Sequence, residues 1–220
     1  MLANKYTIIL YIYKYNIIIM DDKNENASVK IILLGESGVG KTNLINVFLG
    51  GKFEEYSITT TSSCFEGKIS YKNNFYNYNI WDTAGQEQYR AINKLFLRNA
   101  KIILIVYSIV SRQSFNEINY WINYVKENLG DGKYIMGLVA NKNDLYEQQI
   151  VNDEEGEEVA KKYGIEFTSA SALTGANNFQ NFINKLIINY IEMSKGNGNK
   201  RDKKKNIKIN KISKGKKTCC

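Results

Sequence analysis

The sequence predicts an α/β fold: a doubly wound, six-stranded, mostly parallel sheet with one antiparallel edge strand and about five helices. Three observations predict it. Short apolar runs alternate with segments of helical period along most of the chain. One pair of runs is separated only by Lys72-Asn73-Asn74, a hairpin turn, which makes those two strands antiparallel. A glycine-rich loop joins the first strand to the first helix. Sheets of this kind bind ligands beyond the carboxyl ends of their strands.

The first strand is Val29–Leu34, apolar apart from Lys30. Gly35-Glu36-Ser37-Gly38-Val39-Gly40-Lys41-Thr42 follows and reads G-x-x-x-x-G-K-T. A helix over Lys41–Leu49, with Asn43 in its first turn, completes the strand–loop–helix context of a phosphate-binding loop. The glycines let backbone N–H groups turn inward around a polyphosphate, and the helix start adds its positive dipole end. Lys41 can then reach the β- and γ-phosphates, and the Thr42 hydroxyl can bind Mg²⁺.

Strands over Phe65–Tyr71 and Phe75–Trp81 come next, and Trp81-Asp82-Thr83-Ala84-Gly85-Gln86-Glu87 closes the second of them. Asp82, at a strand terminus, is placed to hold Mg²⁺ through water, and the Gly85 N–H to approach a γ-phosphate. A helix over Gln88–Arg98 and a strand over Lys101–Ser108 follow. Over Ser114–Leu129, Phe115, Ile118, Trp121, Ile122 and Val125 recur at helical spacing and read as core. The strand Tyr134–Asn141 leads into Asn141-Lys142-Asn143-Asp144. The Asp144 carboxylate can accept two hydrogen bonds from the N1–H and amine of guanine. Adenine would leave it facing a lone pair, a cost of about 1–3 kcal/mol or more for a buried charged group. The last elements are a helix over Asp153–Tyr163 with Asp153 as N-cap, a strand over Ile165–Thr168 and a helix over Asn178–Met193.

These motifs, in this order and spacing, resemble the small GTPases of the Ras superfamily over about Val29 to Ser194. Trp81 before Asp-Thr-Ala-Gly-Gln-Glu, the run Gln86 to Ile92, Arg98-Asn99-Ala100 and the terminal Cys219-Cys220 resemble the Rab family in particular. Tyr89-Arg90-Ala91-Ile92, Thr42-Asn43-Leu44 and Ser171-Ala172-Leu173 look most like its recycling-endosome branch. The resemblance implies a P-loop NTPase fold and a switch in vesicle traffic that binds GTP and GDP, uses Mg²⁺ and hydrolyses GTP. It also implies an exchange factor, a GTPase-activating protein, a GDP-dissociation inhibitor and effectors as partners.

Further site residues follow from the resemblance. The magnesium-binding Thr of the first switch lies 18 residues after Thr42 in the family pattern, at Thr60, with Thr59 and Thr61 beside it. The continuation Thr61-Ser62-Ser63-Cys64-Phe65 lacks the Ile-Gly of the Rab pattern, which bears on effector recognition rather than on nucleotide binding. Phe53 falls where the family stacks an aromatic ring on guanine; a hydrophobic anchor for the loop is the alternative reading. Ser171-Ala172-Leu173 resembles the last guanine-contacting motif, with Ser169-Ala170 as a competitor. Gln86 is the catalytic candidate beside Lys41, because its amide can both accept from and donate to an attacking water. No Arg reads as a finger in cis, so turnover on the order of 10⁻⁴ to 10⁻³ s⁻¹ is expected by analogy with Ras, with a partner supplying the arginine.

Composition bounds the rest. There is no His, so no imidazole base, and the three cysteines, Cys64, Cys219 and Cys220, provide no disulfide framework within the fold. The net charge of +8 is a property of the tail. From Lys195 to Lys217 eleven Lys/Arg and one Asp make +10, which leaves −2 elsewhere and no basic surplus to track a nucleic acid. Residues 195–220 read as a disordered basic tail ending in a cysteine pair that resembles the doubly geranylgeranylated Rab ending, on the cytoplasmic face of endomembranes. Residues 28–194 form the GTPase domain and residues 1–27 an extension. Tyr6–Met20 is apolar and aromatic, and residues 1–19 read as an over-extended start, with a real interfacial segment as the alternative. Two other functions fit less of the chain: a GTP-binding scaffold with little hydrolysis, from the altered first switch, and an RNA-associated GTPase, from the basic tail.

Overall fold

A computed structural model describes residues 28–55, 63–82, 96–130, 132–175 and 177–195 of the chain. The elements in order are β1 (Val29–Leu34), α1 (Lys41–Phe48), β2 (Ser63–Tyr71), β3 (Asn74–Asp82), β4 (Ile102–Ser108), α2 (Arg112–Asn116) and α3 (Ile118–Leu129). They continue with β5 (Ile135–Asn141), a 3-10 segment (Asn143–Gln148), α4 (Asp153–Tyr163), β6 (Glu166–Ser169) and α5 (Asn177–Ser194). The six strands form one sheet in the order β2-β3-β1-β4-β5-β6. Only β2 and β3 pair antiparallel; every other neighbouring pair is parallel.

Alternation along β1 explains the two layers. Ile31 and Leu33 face α1 and α5, where Leu44, Phe179, Ile183 and Leu186 pack on them. Ile32 and Leu34 face the other side, against Trp121, Ile122 and Val125 of α3 and Ala160 of α4. All four β1 residues are at most 1% exposed, so each contributes about 1.5–3 kcal/mol of burial. With all five parallel strands running the same way, their carboxyl ends lie along one edge, and the phosphate-binding loop and the segment after Asn141 leave from it.

Three local details differ from expectation. The hairpin turn has two residues rather than three. Lys72 (φ 49°) and Asn73 (φ 60°) take the left-handed region, and Asn74 already pairs with Tyr71. That double positive φ is the turn whose twist matches the flanking strands. Asp153 is not the N-cap of α4. Asn152 is: its side chain accepts from the Glu155 N–H, and the Glu155 carboxylate accepts from the Asn152 N–H, a reciprocal capping box with Asp153 one residue inside. The helix expected over Ser114–Leu129 begins earlier, at Arg112, because Ser111 caps it by accepting from the Ser114 N–H at 3.2 Å. It is divided at Glu117, where ψ opens to −6° while hydrogen bonds from Glu117 N to Gln113 O and from Trp121 N to Glu117 O bridge the break.

Most of the helix expected over Gln88–Arg98, together with Thr60, Gly85, Gln86, Cys219, Cys220 and residues 1–27, lies outside the described residues. Among the described residues no helix is long and apolar enough to cross a membrane.

Candidate nucleotide-binding site

The loop after β1 is shaped by contacts that only glycine permits. Gly35 has φ +139°, and a Cβ there would lie 2.1 Å from the Val106 carbonyl oxygen of β4. Gly40, at φ +92°, is the N-cap of α1, and a Cβ there would meet the Asn141 amide nitrogen at 2.5 Å. No side chain caps α1 and no acid lies in its first turn. The helix therefore presents backbone N–H donors and a positive dipole end with nothing anionic in that turn to neutralise them.

Lys41 is 5% exposed, and its Nζ donates to the Gly35 and Glu36 carbonyls at 2.8 Å each. The ammonium thus sits inside the ring of the loop. Burial lowers its pKa to about 8, against the opposing pull of the Asp82 and Glu36 carboxylates. Asp82 ends β3, is 3% exposed, and is close enough to act electrostatically on Lys41. Thr42 follows Lys41 in the first turn of α1.

Asn43 has a role that the motif alone does not reveal. Its side-chain amide donates to the Glu54 carbonyl at 2.8 Å, and its oxygen accepts from the Glu54 N–H at 3.1 Å. Both ends of the amide are engaged in pinning the chain beside Phe53, which is 39% exposed. What Asn43 offers a phosphate is therefore its backbone N–H.

The second half of the site comes from the far side of the sequence. Asn141, at the end of β5, is 1% exposed and donates from Nδ2 to the Val39 carbonyl at 2.7 Å. That bond joins the phosphate-binding loop to the Asn-Lys-Asn-Asp segment. Lys142 adopts φ 66°, turning the chain sharply into the 3-10 segment, and its side-chain stem passes Gly40. Asp144 Oδ1 accepts from the Ser171 hydroxyl at 2.5 Å. Ser171 is buried, and its oxygen also accepts from the N–H groups of Leu173 and Thr174 at 3.0 and 3.1 Å. Ala172 is buried beside it, while Leu173 is 55% exposed.

Ser169, the competitor of Ser171, does other work. Its hydroxyl accepts from Asn143 Nδ2 at 3.2 Å, away from Asp144. Ala170, the other half of the competing pair, ties the loops by backbone alone: its N–H donates to Ala140 O, and its carbonyl accepts from the Asn143 N–H. No side-chain signal could have marked it. The structure thus brings together Gly35 to Asn43, Asp82, Asn141, Lys142, Asp144 and Ser171 to Leu173 at one edge of the sheet. Such a ring of N–H donors, one buried lysine, one buried strand-end carboxylate and a carboxylate held by a serine suits a nucleotide polyphosphate with a base.

Comparison with known proteins agrees. A match to the Ras family spans residues 30–192. The chain is 36% identical over 203 residues to Ras-related protein SEC4 of Saccharomyces cerevisiae, which covers 90% of this chain and 94% of that one. It is 38% identical over 161 residues to Ras-related protein Rab-11B of Dictyostelium discoideum, covering 70% and 73% of the two chains. It is 34% identical over 169 residues to Ras-related protein Rab-27A of Rattus norvegicus, covering 72% and 76%. Identities this similar across differently named Rab proteins do not single out one branch. The chain belongs to the Ras family, among its Rab proteins, as a GTP-binding and GTP-hydrolysing switch that regulates vesicle-mediated transport.

Proposed function

We infer that the site selects guanine through Asp144 and works as follows. Gly35 to Asn43 hold the phosphates, with the Lys41 ammonium at the β- and γ-oxygens. Asp144 reads the N1–H and amine of guanine, held in place by the Ser171 hydroxyl; Ala172 and Leu173 lead the adjacent loop past the base. Asn141 keeps the two halves in register, and Lys142 and Phe53 flank the base. The observation that carries this reading is the Asp144–Ser171 hydrogen bond beside the Asn141–Val39 tie.

GTPases of this family generally use Mg²⁺. The donor set fits it: Thr42 and a buried Asp82 offer hard oxygens, and among the described residues no cluster of three His, Cys, Asp or Glu competes for a metal. Thr42 and Thr60, with Asp82 through water, would hold the ion, which when bound neutralises charge on the γ-phosphate. Gln86 orients the attacking water, and Thr60 and Gly85 sense the γ-phosphate.

Family membership supports GTP, GDP, regulators and effectors as partners. Residues 28–194 are the switch, and residues 195–220 carry it to endomembranes through prenylated Cys219 and Cys220. Competition binding with the four nucleotides tests the base choice: GDP and GTP should displace a fluorescent GDP far better than ADP and ATP, and equal displacement would overturn it. Single-turnover hydrolysis tests the chemistry: Gln86→Leu should bind GTP normally and hydrolyse it more slowly, above all with an activating partner. Fractionation of cells expressing Cys219→Ser with Cys220→Ser tests the anchor: the double variant should move to cytosol with GTP binding intact.

A further inference from the structure

We propose that the edge of the domain opposite the nucleotide site is a docking surface for an anionic lipid bilayer, with Phe75 at its tip entering the headgroup region. Three independent features of the fold converge there. The first is geometry. Val29, the first residue of β1, pairs with Tyr78, yet β3 begins at Asn74. The hairpin therefore overhangs the neighbouring strand by four residues, roughly 13 Å. Next to its turn stands Phe75, 78% exposed, the most exposed of the large hydrophobic residues among those described.

The second feature is charge. The parallel strands begin at this edge, and α3, α4 and α5 return to it and end there. Lys72 of the turn, Lys126 of α3, Lys133 before β5, Lys161 and Lys162 of α4, and Lys195 after α5 are all exposed at it. Glu127, Glu166 and Glu192 are the acids there among the described residues, and the last two are paired with Lys185 and Lys72. The other end carries acids beside its cations Lys41, Lys142 and Arg112: Asp153, Glu154 and Glu155 open α4, Asp82 ends β3 and Asp144 lies in the 3-10 segment after β5. A domain that is slightly acidic as a whole thus presents a basic end.

The third feature is where the tail leaves. Lys195 Nζ donates to the Tyr76 hydroxyl and lies 5.0 Å over its ring, and Lys72 pairs with Glu192 at 2.9 Å. These contacts hold the end of α5 against the hairpin, so the segment from Lys195 to Lys217, with net charge +10, starts at Tyr76, the neighbour of Phe75 in the hairpin. Basic residues near an anionic surface are attracted to it, and an aromatic ring at the same level adds burial that neither salt nor a soluble polyanion replaces. Docked this way, the nucleotide site points away from the membrane, towards the cytoplasmic partners that read it.

The test uses the full chain carrying Cys219→Ser and Cys220→Ser, so that no lipid chain contributes and the outcome is separate from nucleotide binding. Phe75→Cys, labelled with an environment-sensitive dye, is compared with a label at Glu147→Cys on the opposite end. With vesicles of phosphatidylcholine and phosphatidylserine the dye at position 75 should brighten and shift to the blue, the dye at 147 should not, and phosphatidylcholine alone should do neither. In the unlabelled protein Phe75→Asp should lower the vesicle-bound fraction, on the order of fivefold. Silence of the dye at 75, an equal response at both positions, or vesicle binding unchanged by Phe75→Asp would overturn the proposal. Equal brightening on a single-stranded RNA would overturn its assignment to lipid.

Discussion

Asp144 and Asn141 lie three positions apart in sequence and act on different things. Asp144 is held by Ser171 and is the proposed base reader, so its substitution should alter which base is accepted rather than whether the loop forms. Asp144→Asn should weaken GDP binding and admit xanthosine diphosphate, whose C2 oxo group pairs with the new amide; competition binding with both nucleotides checks it. Asn141 touches the Val39 carbonyl and shapes the loop. Asn141→Ala leaves that buried acceptor unpaired at about 1–3 kcal/mol, so GDP release should quicken about tenfold or more with no change of base preference. A stopped-flow release measurement separates the two. A third residue, Lys30 in β1, reports on burial. Its Nζ donates to the Arg98 carbonyl at 2.9 Å and lies 4.9 Å over the Trp81 ring, and desolvation lowers its pKa from 10.5 to about 8. Below pH 8 the folded state carries the full cost of a buried ammonium. Between about 8 and 10.5 the folded protein gives up its proton while the unfolded chain keeps it, so this residue makes stability rise with pH. The stability of Lys30→Met relative to the parent should therefore be greatest below pH 8 and fall as pH rises, as chemical denaturation at several pH values would show. A difference independent of pH would mean that Lys30 keeps its ordinary pKa in the folded state.

At the scale of elements, α4 shows how a short motif sets a boundary. Asn152 and Glu155 cap it reciprocally, three acids fill its first turn, and Lys161 and Lys162 close it, all favourable to its dipole. Asn152→Ala should cost about 1 kcal/mol and lower the melting temperature by about 2–4 °C, measurable by calorimetry, without altering nucleotide affinity. Glu155 also receives both guanidinium nitrogens of Arg112, which lowers the carboxyl pKa, but the pair is partly exposed and adds little stability. Most element boundaries were legible in the sequence, because burial on both faces leaves continuous apolar strands such as β4. The cap of α4 was misplaced by one residue because Asn and Asp at adjacent positions have equal propensity there; only the reciprocal hydrogen bonds distinguish them. The break at Glu117 was not legible, since the apolar spacing of Phe115, Ile118, Trp121 and Ile122 continues through it and the pull of Ser114 towards Ser108 is a tertiary contact.

For the whole molecule, the described fold begins at residue 28 and completes its sheet from residues up to Ser169. A chain starting at Met20 should bind GDP with unchanged affinity and melt at a similar temperature, because the six strands and the loops at their carboxyl ends come from residue 29 onward. Insolubility or loss of nucleotide in that shortened chain would make the segment part of the fold. The same parallel topology sets the nucleotide loops at one edge and the helix C-termini, with Lys126, Lys161 and Lys162 in their last turns, at the other. It gives the molecule a nucleotide end and a basic end.

By itself the sequence determined the order of strands and helices, the glycine-rich loop and the strand-end Asp82, and it marked Asp144 as the candidate base reader, because each depends on neighbours a few positions away. Only the tertiary structure decided that Ser171 rather than Ser169 meets Asp144, that the Asn43 amide pins Glu54, and that Ala170 joins two loops. It alone also placed the start of the tail against Tyr76, in the hairpin that carries Phe75. Those facts depend on strand register and on hydrogen bonds between residues up to 120 positions apart, which local propensity and periodicity do not encode.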